Sequence, residues 1–131
     1  MVTIIVIAHS EIANSLVSCA EHILAKRVAN LHIISVKKTE NTEHILERVN
    51  EFISSFGHER QLLLLTDLFG ATPSNIATRL IKPGKIEMIT GLNMPMLIRA
   101  ISYADYDLRT CIDKSIEGGR NGIVYLNGEN M

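Results

Sequence analysis

The 131-residue sequence has little of several features that mark particular classes of protein. Its two cysteines, Cys19 and Cys111, lie far apart and outside any CxxC or Cys/His pattern. We therefore expect no disulfide and no metal site at them, and interpret both as small buried side chains. With 3 prolines, 8 glycines and 47% hydrophobic residues, the composition also excludes a disordered or low-complexity chain.

Neither sign of charge is in excess, because 13 Lys and Arg face 14 Asp and Glu and give a net charge of -1. Nucleic-acid binding depends on basic residues that neutralise phosphates, so we expect no nucleic-acid partner. The N-terminal apolar run, Val2–Ala8, has no charged segment before it and is shorter than the roughly 20 residues of a membrane span. We expect a cytoplasmic protein with no direct membrane insertion.

What the sequence does contain is a regular alternation of apolar runs and helical patterns. Short unalternated runs predict strands that are buried on both faces, as in a parallel sheet; they are Val2–Ala8, Leu31–Val36, Gln61–Thr66 and Lys85–Thr90. Spacings of three and four predict helices between them, the first with Ile12, Leu16, Cys19 and Ile23 on one stripe. A last helix should stop at Gly118-Gly119, and residues 121–126 predict a short fifth strand. The alternation predicts one α/β domain with a single open, mainly parallel sheet and helices on both faces.

In such a sheet, sites form outside the carboxyl ends of the strands. His9 ends the first predicted strand and Asp67 follows the third. His9 is either a hydrogen-bonded residue at a strand end or a nucleophile, since imidazole is nucleophilic near neutral pH. Asp67 is either a turn residue or a carboxylate that orients His9. We interpret the other histidines as structural or solvated; they are His22, His32, His44 and His58.

A candidate anion site follows Asp67. Thr72-Pro73 predicts a helix start, with Thr72 as the N-cap and Pro73 at the first helical position. Gly70, Ala71 and Thr72 would then supply backbone N–H groups for a phosphoryl group. No metal-ligand spacing, serine elbow or Walker loop competes with this arrangement.

These residues resemble the IIA component of the mannose-type sugar phosphotransferase system. The matching stretches are Ile5–His9, Thr66–Asn75 and Gly91–Leu97, and their order and spacing fit nearly the whole chain. The resemblance implies a single mannose-type (type 4) IIA domain over residues 1–131 that works without metal or cofactor. It implies that His9 accepts a phosphoryl group from the phosphocarrier HPr and passes it to a IIB component, with Asp67 as the hydrogen-bonding partner of His9. It also implies a homodimer, for which the apolar Gly122–Leu126 segment could pair with another sheet edge.

The sequence departs from the family pattern at four positions near the site. Ser10 replaces the usual glycine after the histidine, and Ala71 replaces a glycine, which requires that position 71 not need a positive φ. Thr72 replaces a serine and keeps the hydroxyl, while Ser74 replaces an aromatic residue that would be available for docking a IIB partner. A regulatory role in place of sugar uptake therefore stands beside the transport role.

Apolar residues flank the proposed site in two loops: Leu68, Phe69, Met94, Pro95 and Met96. They are either ordinary loop packing or an exposed collar for HPr and IIB. Two alternatives come from other classes. A response-regulator receiver domain would be phosphorylated on Asp67, but it needs an acidic pair after the first strand, where this chain has Ala8-His9. The other alternative is a small binding protein with no phosphoryl transfer.

Overall fold

The structure, a computed structural model, describes residues 1–131. Four strands and five helices follow one another as β1 (Val2–His9), α1 (Ile12–Leu24), β2 (Leu31–Val36), α2 (Thr42–Ser54), β3 (Gln61–Thr66), α3 (Thr72–Thr78), β4 (Ile86–Thr90), α4 (Met94–Ser102) and α5 (Leu108–Asn121). None of these helices combines the length and the apolar character that crossing a bilayer requires.

The four strands form one open sheet that is parallel, as predicted, and their order across it is β2-β1-β3-β4. β1 and β3 are the two central strands, which explains why their apolar runs show no alternation: both faces are covered. Ile7 of β1 is in register with Thr66 of β3, and Thr66 is in register with Thr90 of β4. The ends of these strands therefore lie along one edge of the sheet.

Helices cover both faces of the sheet, which confirms the predicted architecture. On one face, Val6 and Leu65 belong to a core that α1, α4 and α5 complete. On the other face, Ile7 and Leu64 belong to a second core with α2 and α3. Alternate residues of β1 and β3 thus point into different cores.

The buried face of α1 is not the predicted one. Ala13, Val17 and Ala20 are buried, whereas Cys19 and Ile23 are exposed. Both stripes have helical spacing, but α1 packs on β1, β2 and α4, and small side chains allow that close approach. The prediction of a buried Cys19 is therefore wrong, while Cys111 is buried as predicted.

The C-terminal part of the chain also differs from its prediction. Helix α5 continues through Gly118-Gly119 to Asn121, because both glycines are buried against α4; a Cβ added at Gly119 would lie 3.0 Å from Met96 Cε. The predicted fifth strand is absent, and residues 122–127 form no strand. A strand needs a neighbour for its backbone hydrogen bonds, and no strand of this chain pairs with this segment.

Candidate functional site

The strand order places the site where the chain changes direction across the sheet. From β1 the chain continues to β2 on one side, and from β3 it continues to β4 on the other. The adjacent carboxyl ends of β1 and β3 therefore border the crevice at which open α/β sheets bind ligands. His9 is the last residue of β1, and Asp67 is the first residue after β3.

The structure brings His9 and Asp67 together. The Nδ1 atom of His9 lies 2.7 Å from Asp67 Oδ2, and the backbone N–H of His9 donates to the same oxygen at 3.0 Å. The other oxygen, Oδ1, accepts the backbone N–H of Leu68 at 2.9 Å. Asp67 is thus held by three N–H groups, two of them from His9.

This arrangement determines which nitrogen of His9 is free. An ionised carboxylate only accepts hydrogen bonds, so Nδ1 carries the proton that it donates to Asp67. The neutral ring then has its lone pair on Nε2. The His9 side chain is 44% exposed, against 11% for Asp67, so the free nitrogen belongs to the accessible partner.

Opposing effects act on the pKa of Asp67. Burial alone raises this pKa, but the backbone and ring hydrogen bonds from His9, the charge of His9 and the N–H of Leu68 together outweigh burial and lower the pKa below its ordinary value. Asp67 is therefore ionised near neutral pH and can hold His9 as an acceptor.

Gly70 and Ala71, in the loop between Asp67 and α3, have different backbone conformations. Gly70 has φ 87°, which favours glycine, whereas Ala71 has φ -81°, so the prediction that position 71 needs no positive φ is confirmed. Ala71, not Thr72, is the N-cap residue of α3, and no side chain caps this helix. The prediction of Thr72 as the cap is wrong by one residue, since the chain becomes helical at Thr72 itself.

Two of the three candidate phosphoryl-binding N–H groups are free. The N–H of Ala71 donates to the Leu68 carbonyl at 3.2 Å, while those of Gly70 and Thr72 have no backbone acceptor in the protein. Ser10, at the other side of the site, is exposed with φ 39°, and its N–H donates to the Val36 carbonyl at 2.9 Å. This left-handed backbone explains why a glycine suits the position after the histidine.

The apolar residues near the site divide by exposure. Leu68 and Phe69 are 64% and 74% exposed, and Met94 and Pro95 are partly buried. Met96 is only 6% exposed because it packs in the core beneath α4, so its prediction as an exposed collar residue is wrong. Ser74 is 1% exposed, which places position 74 inside the protein and not on a docking surface.

Sequence reasoning missed three hydroxyls near this edge of the sheet. The side-chain oxygens of Thr66, Ser74 and Thr90 are buried without a hydrogen-bond partner in the protein. Thr66 and Thr90 end neighbouring strands in register, and Ser74 lies in the first turn of α3. The sequence shows only that each of these two strands ends in a threonine, which does not by itself reveal an unpartnered hydroxyl.

Known proteins share this fold, and about a quarter of the aligned residues are identical. A solved phosphotransferase system component EIIA from Streptococcus agalactiae superposes with a TM-score of 0.84 at 25% identity, over 95% of this chain and 97% of that one. The mannose-specific EIIAB component of Escherichia coli strain K12 is 28% identical over 128 residues, which are 95% of this chain but 39% of the E. coli protein. The fructose-specific EIIA component of Bacillus subtilis is 25% identical over 107 residues, 81% of this chain and 73% of that protein.

The family model described as "PTS system fructose IIA component" matches residues 3–116. This range contains His9, the loop after β3 with Asp67, and all four strands of the sheet except Val2, the first residue of β1. The match covers nearly all of the folded chain, and the sheet brings His9 into hydrogen-bond contact with Asp67. Together these observations identify the family of the chain. The chain belongs to the mannose-type EIIA family of the sugar phosphotransferase system.

Proposed function

We propose that this chain is a phosphoryl carrier of the sugar phosphotransferase system and that Nε2 of His9 carries the group. The observation that supports this most is the 2.7 Å contact between His9 Nδ1 and Asp67 Oδ2, which leaves Nε2 as the nitrogen with a lone pair. In this proposal the donor is phosphorylated HPr, and the recipient is a IIB component. The acceptor step is common to a role in sugar uptake and a role in regulation.

The proposed transfer exchanges one P–N bond for another. The Nε2 lone pair of His9 attacks phosphorus in line with the phosphohistidine bond of HPr, and the leaving imidazole of HPr takes the electrons of the broken bond. The proton stays on Nδ1 of His9, because Asp67 accepts the hydrogen bond from Nδ1–H throughout the transfer. As positive charge develops on the ring, the ionised carboxylate stabilises it.

Donors for the transferred phosphoryl oxygens would come from the loop after Asp67. The N–H groups of Gly70 and Thr72 are unengaged, and the Thr72 hydroxyl makes no hydrogen bond in the protein. Ala71 would act through the shape of the loop, since its own N–H is engaged with Leu68. Ser10 would border the phosphoryl group from the β1 side.

The docking collar would consist of Leu68 and Phe69, with Met94 and Pro95 at its side. Leu68 and Phe69 directly follow Asp67 and are largely exposed, so a partner that reaches His9 would meet them. Small interfaces with an apolar centre suit partners that bind in turn. HPr and a IIB component would share this surface.

The remaining parts of the proposal concern the whole chain. Residues 1–131 would form one IIA domain that acts in the cytoplasm, and two copies would associate as a homodimer. Support for the dimer comes from the exposed C-terminal segment, in which Ile123 and Tyr125 are 79% and 78% exposed. A large apolar segment on the surface marks an interaction site.

The proposal is tested by incubating the protein with phosphoenolpyruvate, enzyme I and HPr and measuring its intact mass. Wild type should gain one phosphoryl group that is lost in acid and survives alkali, and His9→Ala should gain none. His22→Ala is the matched control, since His22 is an exposed histidine in the last turn of α1, at the end of that helix remote from His9, and its loss should change nothing. Full phosphorylation of the His9 variant would overturn the proposal.

A further inference from the structure

A cavity lies at the end of the sheet opposite to His9. Its volume is about 440 Å³. Its wall includes Leu62, the second residue of β3, and Ile86, the first residue of β4. Leu62 is five residues before Asp67 along β3, about 17 Å at the rise of a strand. The cavity is therefore a separate place on the molecule, and its size falls within the range of small-molecule pockets, roughly 300–1,000 Å³.

The lining of the cavity is basic. Four cationic side chains contribute to it, together with His58, and no Asp or Glu does; the cations are Arg60, Arg79, Lys82 and Lys85. This concentration is unusual in a chain whose total charge is -1. Aliphatic side chains, among them Ile53 and Leu80, form an apolar part of the lining, and Asn50, Ser54 and Gly57 complete it.

Neutral groups hold two of these cations in place without neutralising them. Arg60 donates from Nη1 to the buried hydroxyl of Thr3 at 2.8 Å, and its guanidinium lies 5.9 Å from the centre of the Phe56 ring. Lys85 donates from Nζ to the carbonyl of His58. Only Arg79 has an acidic partner, Glu43 at 3.3 Å.

Backbone hydrogen bonds hold the turn that contains Lys82 and Lys85. The N–H of Lys82 donates to the Ile86 carbonyl at 2.8 Å, and the N–H of Ile86 donates back to the Lys82 carbonyl at 2.8 Å. Lys82 itself has no ion-pair or hydrogen-bond partner for its ammonium group. The backbone thus fixes the positions from which both lysines reach the cavity.

An alternative use of these cations is to neutralise helix ends, because α2 and α3 both end at this cavity. Each helix C-terminus carries roughly half a negative charge. The pair Arg79–Glu43 is neutral, so three positive charges face about one negative charge from the two helix ends. Among the residues that line the cavity, about two positive charges remain uncompensated, which matches a phosphate monoester dianion; Glu87 lies outside the lining, where its carboxylate accepts the N–H of Gly84 at 3.0 Å.

We propose that this cavity binds a small metabolite that bears a phosphate monoester, such as a sugar phosphate, with the phosphate among Lys82, Lys85 and Arg60. The aliphatic part of the lining would contact the carbon skeleton, so the ester should bind more tightly than inorganic phosphate. This site is independent of the His9 site.

The test is a titration of the ¹⁵N-labelled full chain, followed by amide chemical shifts, with glucose 6-phosphate, glucose or inorganic phosphate. Glucose 6-phosphate should give saturable shifts at Gly57, Leu80 and Lys82, and inorganic phosphate should bind about tenfold more weakly. Glucose alone should produce no shifts. His9→Ala should bind as wild type does, which separates this result from the fate of the phosphoryl-carrier proposal.

Two variants test whether the ammonium groups of Lys82 and Lys85 bind the phosphate. Lys82→Glu and Lys85→Gln each alter an exposed side chain, and each should weaken binding of glucose 6-phosphate about tenfold or more. Lys38→Glu is the matched control, because Lys38 is an exposed lysine outside the cavity. The affinity of this variant for glucose 6-phosphate should stay within about twofold of wild type. Equal weakening in all three variants, equal binding of the ester and inorganic phosphate, or an absence of saturable shifts would overturn the proposal.

Discussion

Asp67 receives three N–H groups on two oxygens, and this single residue determines how His9 is presented. Two of the donors belong to His9, one from its backbone and one from its ring. The backbone contact positions the end of β1, and the ring contact fixes the tautomer. The same carboxylate therefore serves both the architecture and the proposed chemistry.

Replacement of Asp67 by Asn should slow transfer from phosphorylated HPr about ten- to a hundredfold. An amide can present N–H to Nδ1, which would place the lone pair on the wrong nitrogen, and a hydrogen bond to a charged group is worth about 1.5–3 kcal/mol. Single-turnover transfer rates measure this effect. Asp113→Asn, at an exposed ion pair with Arg109, is the control and should keep the wild-type rate. A rate within about twofold of wild type for Asp67→Asn would reduce Asp67 to a structural role.

The lowered pKa of Asp67 predicts how stability depends on acid. Burial alone raises this pKa, but the hydrogen bonds from His9 and Leu68 and the charge of His9 lower it below 3.8, the ordinary value that the unfolded chain has. Asp67 thus stabilises the fold above about pH 4, and that contribution is lost as the pH falls through the folded-state pKa. Urea unfolding at a series of pH values should show the free energy of unfolding of wild type falling more steeply with acid than that of Asp67→Asn. Parallel curves would contradict this assignment.

At the scale of elements, the loop from Asp67 to α3 depends on the conformation of Gly70. Its φ of 87° is strained for any side chain, although a Cβ there would meet nothing within 4 Å. Gly70→Ala should therefore lower the free energy of unfolding by about 1–2 kcal/mol through backbone strain alone. Ala71→Gly is the control, since Ala71 is an N-cap residue at φ -81° where glycine is tolerated, and it should stay within about 0.5 kcal/mol of wild type. Chemical denaturation of both variants measures these free energies of unfolding. Equal values for Gly70→Ala and Ala71→Gly would show that the loop relaxes to relieve the backbone strain.

The elements differ in how far the sequence predicts them. The strands β1 and β3 follow directly from Val2–Ala8 and Gln61–Thr66, because burial on both faces leaves an unmistakable apolar run. The strand ends then place His9 and Asp67 without further information. The buried face of α1 could not be predicted in this way, since Ile12 and Ala13 begin two stripes of equal period and only tertiary packing selects the smaller residues.

Other features depend on contacts that no local pattern encodes. Gly118 and Gly119 have the composition of a helix stop, yet their lack of side chains lets α5 pack on α4. The unpartnered hydroxyls of Thr66 and Thr90 become visible only when β3 and β4 are placed side by side. The basic cavity likewise collects residues from positions 50 to 86 that the sequence presents as scattered surface charges.

At the scale of the whole molecule, the exposed segment after α5 predicts association. A chain without residues 122–131 keeps α5 intact to Asn121 and should be a monomer, whereas the full chain should have twice the mass of 14.6 kDa in light scattering at micromolar concentration. Deletion of residues 127–131 alone is the control and should leave the dimer. A monomeric full chain would refute the proposed dimer, and a dimeric chain lacking residues 122–131 would place the interface elsewhere.

The most direct measurement of the central claim is the identity of the phosphorylated nitrogen. The protein is labelled with ¹⁵N at histidine, phosphorylated through enzyme I and HPr, and observed by ¹⁵N and ³¹P nuclear magnetic resonance. Because Asp67 Oδ2 lies 2.7 Å from Nδ1 of His9, we expect a single phosphorus–nitrogen coupling at Nε2 of His9, with Nδ1 still protonated. Phosphorylation at Nδ1, on the carboxylate of Asp67 or on any other histidine would contradict it.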